Sequence, residues 1–127
     1  MPTKEAQLLI VDHDKHYTDF LAAVASENGC HSTVINQSSH FPIRYHNNID
    51  LITMEVFMPV IDGIELLQFL ARQKCQAQII LISACGPELL RSTKAFAENL
   101  GLSIKATLDK PYNIAEFNQI LKHFCQA

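Results

Sequence analysis

No stretch of this chain approaches the roughly 20 consecutive apolar residues that a membrane-spanning helix needs. Its first residues, Met1 to Gln7, are polar and contain no signal-peptide core. Basic residues are in deficit, ten Lys and Arg against thirteen Asp and Glu. The net charge of -3 therefore lacks the positive excess expected of a nucleic-acid binder. There is no Cys-x-x-Cys pair: Cys30, Cys75, Cys85 and Cys125 are widely scattered, which predicts reduced, partly buried thiols in a cytoplasmic protein rather than a disulfide framework. No glycine-rich phosphate loop follows the first apolar run, and no nucleophile–base–orienter set is recognisable. Both absences disfavour a small α/β enzyme or a nucleotide-cofactor binder. Internal repeats, linkers and low-complexity segments are also missing.

What is present is a globular composition, 48% hydrophobic and 18% charged, over 127 residues. That is enough for one domain spanning 1–127 with a real core. Four apolar runs dominate, and each ends abruptly at a polar group. Leu8–Val11 ends at Asp12, His13 and Asp14, and the Asp50–Glu55 stretch ends at its own carboxylate. Ile79–Ile82 ends at Ser83, and Ile104–Leu108 ends at Asp109 and Lys110. Short continuous apolar runs mark strands covered on both faces, and open α/β sheets present reactive groups at the carboxyl ends of such strands. If the four lie parallel as neighbours, Asp12, His13, Glu55, Ser83 and Lys110 meet at one edge of the sheet.

Between the runs the spacing changes to that of helices. Asp14 is placed to cap a helix whose apolar stripe is Tyr17, Phe20, Leu21 and Val24, with Gly29 ending it. His31–Ile35 reads as the second strand. Residues 36–48, rich in Ser, His and Asn and interrupted by Pro42, predict only a short or irregular helix, with His40 and His46 exposed. Asp62 and Glu65 form a capping-box pattern for a third helix that buries Ile64, Leu67 and Leu70 and ends near Lys74. Gly86-Pro87 opens a fourth helix, which stops at Gly101. The last strand is Ser103–Leu108. A capping box at Asn113 and Glu116 then starts a helix with the stripe Ile114, Phe117, Ile120, Leu121 and Phe124. Five strands alternating with helices predict an α/β fold with a parallel sheet and right-handed crossovers.

The ordered set Leu9-Ile10-Val11-Asp12, Met58-Pro59 with Asp62-Gly63, Ser83-Ala84 and Lys110-Pro111 resembles the receiver domain of two-component response regulators. The resemblance runs along nearly the whole chain. Lys110-Pro111 alone is a common loop pair, and Ser83 alone is a common strand end. The shared order and spacing give them weight. The resemblance implies the flavodoxin-like, doubly wound five-stranded sheet, order 2-1-3-4-5, with helices on both faces. It also implies that an acidic cluster holds Mg²⁺ beside a phosphoaccepting aspartate, while the hydroxyl at Ser83 and the amine at Lys110 contact the phosphoryl group.

Three positions depart from that pattern. Glu55 stands at the phosphoacceptor position, His13 replaces the second acidic residue of the metal pair, and Thr107 occupies the position of the switch aromatic. The extra methylene of Glu55 carries its carboxylate outward, and a misplacement of about 1 Å costs on the order of a hundredfold in rate. His13 removes one oxygen donor from a site for a hard cation, leaving Asp12 and Glu55 as its carboxylates and Mg²⁺ binding weak or absent. No other cofactor is expected. Glu55 paired permanently with Lys110 or Ser83 would partly mimic a phosphorylated state, with charge -1 against about -2. His13 and His16 with Asp12 and Asp14 offer transition-metal donors, although such clusters are more often solvated loop residues. Cys85 reads as an incidental thiol. Tyr112 reads equally as a contact residue or a loop cover.

The expectation is therefore an atypical, non-enzymatic receiver acting through protein contacts independently of phosphorylation. The alternative is a phosphotransfer-competent receiver controlling an attached or separate output domain. Residues Gly101–Pro111 are similar to receivers joined to cyclic-di-GMP phosphodiesterase domains, so the chain reads either as a stand-alone regulator or as the N-terminal module of a longer protein. The resemblance implies contact through the fourth helix, fifth strand and last helix, with a histidine kinase, an output domain or a second copy as partner. Neither nucleic acid nor membrane is expected to bind this domain.

Overall fold

The computed structural model describes residues 5–58, 60–110 and 114–125. Its elements are β1 (Gln7–Val11), α1 (Lys15–Glu27), β2 (His31–Ile35), a 3₁₀ turn (Ser38–His40), α2 (Phe41–Arg44), β3 (Leu51–Glu55), α3 (Gly63–Arg72), β4 (Gln78–Ser83), α4 (Pro87–Asn99), β5 (Ser103–Asp109) and α5 (Ile114–Cys125). All strand pairs are parallel, in the order β2-β1-β3-β4-β5. This is the doubly wound flavodoxin-like arrangement.

Successive strand residues face opposite sides of a sheet, so each apolar run feeds two cores. Leu9, Val11, Ile52, Met54, Ile79 and Leu81 face α2, α3 and α4 through Phe41, Leu66, Leu67, Leu70, Leu90 and Ala97. Leu8, Ile10, Leu51, Ile80, Ile82 and Leu108 face α1 and α5 through Leu21, Val24, Ala25, Phe117 and Leu121. With both faces covered, β1, β3 and β4 are buried almost throughout. Continuous apolar strands are the sequence consequence.

Helix boundaries follow local chemistry. Asp14 accepts from the Tyr17 backbone N–H at the start of α1, and Asp62 accepts from Glu65 at the start of α3. Gly29, at φ +77°, turns the chain after α1 in a conformation that costs glycine nothing. Gly63 is required for a different reason: a Cβ there would stand 2.8 Å from both the Cα and the carbonyl oxygen of Val56. The capping box expected at Asn113 lies outside the described residues, as do Pro59, Pro111 and Tyr112.

The structure corrects several sequence expectations. Phe20 is 57% exposed and lies off the α1 stripe; Thr18 takes the buried position, donating to Lys15 O and accepting from Asn36. Strand β3 begins at Leu51, one residue later than expected; Asp50 just before it accepts from the Gln7 N–H through its carboxylate. The irregular region after β2 is pinned by Phe41, which is fully buried and stacks against Tyr45 and edge-on against Phe69, with ring centroids 6.0 and 5.9 Å away. His40 and His46 are exposed, as expected. Cys30 is disulfide-bonded, whereas Cys75 and Cys85 are free, so the four cysteines are not all reduced thiols.

Candidate functional site

Strand register brings the polar strand ends together. Val11 is level with Met54, Glu55 with Ile82, and Ser83 with Asp109. The ladder continues one step past the strands through Asp12 N to Ile35 O and Lys110 N to Ser83 O. Asp12, Glu55 and Lys110 therefore leave three strands at the same level and converge.

Asp12 and Glu55 are buried, 1% and 5% exposed, and Lys110 reaches both. Its Nζ lies 2.6 Å from Asp12 Oδ2, an ion pair rather than an aligned hydrogen bond, and donates to Glu55 Oε1 at 2.9 Å. The same ammonium sits 4.5 Å from the centroid of the Tyr17 ring, a cation–π contact that covers one side of the charge. His13, half exposed, closes the other side. Its Nδ1 is 2.5 Å from Glu55 Oε2 and 3.7 Å from Asp12 Oδ1. Asp12 is held in turn by the Asp14 N–H on Oδ1 and by the Asn36 side-chain amide on its carbonyl. Each carboxylate thus divides its oxygens, one toward Lys110 and one toward His13.

Two buried carboxylates share a single ammonium, and their ionisation reflects it. Burial pushes the Glu55 carboxyl above the ordinary range; Asp12 pushes the same way and Lys110 opposes both. For Lys110, burial favours the neutral amine, but the contacts with Asp12 and Glu55 outweigh it and hold the ammonium above its usual value.

The remaining sequence-derived site residues separate from this cluster. Ser83 is buried, but its Oγ accepts from the Cys85 N–H. Among the described residues no Ser83–Glu55 bond forms, so the expected pairing of Glu55 is with Lys110. Thr107 is exposed on β5, level with Leu81. The gathered metal-type donors are Asp12, His13 and Glu55; His16 and Asp14 do not join them. Sequence reasoning missed two supports. Tyr17 read only as a core position, and Asn36 lay in a segment without a clear pattern.

The resemblance implies Mg²⁺ here, and the donor set fits it poorly. Mg²⁺ demands near-octahedral oxygen coordination at about 2.1 Å. Here the third donor is an imidazole nitrogen, and with Lys110 on one oxygen of each carboxylate only one oxygen from Asp12 and one from Glu55 are left for a cation.

Comparison with known proteins gives a consistent result. The model of the response regulator receiver domain family matches residues 8–122. The transcriptional regulatory protein CpxR of Escherichia coli (strain K12) is 32% identical over 112 residues, covering 87% of this chain and 45% of that protein. The chain spans about half the length of the curated relatives it matches. Among solved structures, a response regulator from Colwellia psychrerythraea superimposes with a TM-score of 0.87 at 27% identity, covering 97% of this chain and 98% of that one. The Francisella response regulator 1452 receiver domain gives 0.75 at 28% identity, covering 96% and 98%. A matching family model over most of the chain, a relative above 30% identity and the shared sheet order all assign it alike: the chain belongs to the response regulator receiver domain family of two-component signalling.

Proposed function

We propose that this receiver works through protein contacts without phosphorylation of Glu55. The observation that carries the reading is the engagement of both Glu55 oxygens, Oε1 by Lys110 Nζ and Oε2 by His13 Nδ1. Phosphoryl transfer depends on an in-line nucleophile and on cations free to neutralise the transferred group. Here the nucleophile is already paired, and the lysine that would contact a phosphoryl oxygen already serves two carboxylates. The lysine–glutamate pair stands as a permanent, singly charged counterpart of the contact that a phosphoryl group would make. Thr107, exposed on β5, stands where an aromatic would link the site to the α4–β5–α5 face.

On this reading the domain, 1–127, is a cytoplasmic, non-catalytic module. A histidine kinase, an output domain or a second copy meets the α4–β5–α5 face. Among the described residues no helix is long and apolar enough to cross a membrane. The curated relatives are about twice as long as the match, which favours an attached or separate output domain as the partner. A cyclic-di-GMP phosphodiesterase is one such output.

Incubation with acetyl phosphate and Mg²⁺, followed by intact mass, tests the proposal. The expected result is an unmodified chain for wild type. A stoichiometric phosphoryl adduct would establish instead a phosphotransfer-competent receiver. Partner capture with wild type, Glu55→Asp and Glu55→Gln tests the mimic: equal binding by all three rejects it.

A further inference from the structure

The misfit with Mg²⁺ has a positive counterpart. We propose that the Asp12–His13–Glu55 mouth binds a borderline divalent transition-metal ion, of the Zn²⁺ type, in preference to Mg²⁺. This rests on the reading of Glu55 as a residue that is not phosphorylated, and it assigns that pocket a regulatory ligand.

The geometry divides the site into two sides. Lys110 holds Asp12 Oδ2 and Glu55 Oε1, while Asp12 Oδ1 and Glu55 Oε2 turn toward His13. A nitrogen and two carboxylate oxygens, one from each residue, lie within 4.8 Å of one another. Three protein donors with an open outer position is the pattern of an accessible metal site. Metal–ligand bonds of about 2.0–2.2 Å separate neighbouring donors by about 3.0–3.5 Å. Asp12 Oδ1 is already 3.7 Å from His13 Nδ1, and the 2.5 Å contact with Glu55 Oε2 must open. His13, half exposed, is the freest of the three to make that movement, since Asp12 and Glu55 are buried.

Those carboxylates are also oriented from behind. Lys110 pairs with Asp12 and hydrogen-bonds Glu55, and the Asp14 N–H holds Asp12 Oδ1, the same oxygen that faces His13. Such supporting contacts fix the ligand atoms before the ion arrives. Charge favours the ion too, since two buried carboxylates face one ammonium. Imidazole decides the class. Nitrogen donors suit Zn²⁺, Ni²⁺ and Cu²⁺, whereas Mg²⁺ prefers oxygen and gives up water reluctantly. His16, exposed on α1, stands outside the set and serves as the internal control.

The test is calorimetric titration of the untagged chain with Zn²⁺ and, separately, with Mg²⁺, together with the visible absorption of the Co²⁺ form. The expected result is one Zn²⁺ per chain that excess Mg²⁺ does not displace. His13→Ala should weaken Zn²⁺ binding at least tenfold and lose the Co²⁺ bands, whereas His16→Ala and Cys85→Ser should change neither. Circular dichroism of His13→Ala checks that the variant folds, and Glu55→Gln supplies a second ligand deletion. Unchanged Zn²⁺ affinity in both His13→Ala and Glu55→Gln, or displacement by equimolar Mg²⁺, would overturn the proposal. None of these readouts involves phosphate, so a failure here is distinguishable from a phosphoryl adduct in the mass measurement.

Discussion

Lys110 Nζ donates to Glu55 Oε1 at 2.9 Å across 55 positions of the chain, and the same ammonium lies 2.6 Å from Asp12 Oδ2. Removing it strands two buried carboxylates. A buried ion pair adds little net stability, but deleting one partner is costly because the other charge stays uncompensated. Lys110→Met should therefore destabilise the fold by about 3 kcal/mol. Adding Glu55→Gln should restore part of that loss, because the amide needs no counter-charge. Urea unfolding of wild type, both single variants and the double variant measures the coupling. A cycle that sums additively would mean that the contact does not hold the site together.

Tyr45 should weaken the fold at alkaline pH. Burial, and then a hydrogen bond with the Cys75 side chain, push its phenol far above the ordinary value. In the unfolded chain the phenol ionises near pH 10. Above that pH the folded state carries the extra proton, so stability falls as pH rises. Lys110, also raised, contributes with the same sign, since a lysine stabilised as ammonium in the fold loses its advantage above its unfolded value of about 10.5. Comparing wild type with Tyr45→Phe isolates the phenol. The two melting curves should run parallel at pH 7–9, and wild type should lose ground between pH 10 and 11.5. Parallel behaviour throughout would place the Tyr45 hydroxyl in water.

Much of the site was legible because parallel strands of similar length end at one level. Knowing that Val11, Glu55 and Leu108 close apolar runs is nearly enough to bring Asp12, Glu55 and Lys110 together. Side-chain choices at that level were not legible. Ser83 faces a backbone N–H two residues on, a local bond that competes with any partner across the pocket. Tyr17 and Phe20 both satisfy helical spacing, and only the packing of Thr18 and Leu21 decides which ring turns inward. Phe41 anchors a four-residue helix through Phe69, a contact that spacing within residues 36–48 does not encode. The Cys30 disulfide was missed for a similar reason, since scattered cysteines carry no pairing rule.

Val60 is a β-branched residue at φ +72° and 86% exposed, one position past the proline of the β3–α3 connection. A left-handed conformation costs an ordinary side chain about 1–2 kcal/mol, and a side chain this exposed has little packing among the described residues to offset it. Val60→Gly should therefore raise stability by about 1 kcal/mol, reduced somewhat by the greater freedom of glycine in the unfolded chain. Val60→Ala should gain less, since it keeps the Cβ. A higher urea midpoint for Val60→Gly than for Val60→Ala and wild type is the expected order. The reverse order would mean that the valine side chain makes contacts worth more than its strain.

Gly63 poses the opposite case, because its backbone conformation is ordinary and its constraint is purely steric. It opens α3, where replacing glycine by alanine usually gains up to about 1 kcal/mol in helix propensity. Against that gain, the new methyl would meet the Val56 backbone at 2.8 Å, with Glu55 O at 3.2 Å. These are main-chain atoms, which cannot swing aside as a flexible side chain does. The Gly63 N–H also donates to Val56 O at 2.8 Å, so relieving the clash stretches a hydrogen bond. Overpacking of this kind costs about 1–3 kcal/mol, and the steric loss should prevail. Gly63→Ala should lower the urea midpoint by an amount equivalent to about 1–2 kcal/mol net. Val56 follows Glu55 directly, so the same displacement should loosen the Lys110 contact and reduce the coupling measured in the Lys110–Glu55 cycle. A Gly63→Ala chain as stable as wild type would show that α3 can shift away from β3 without cost.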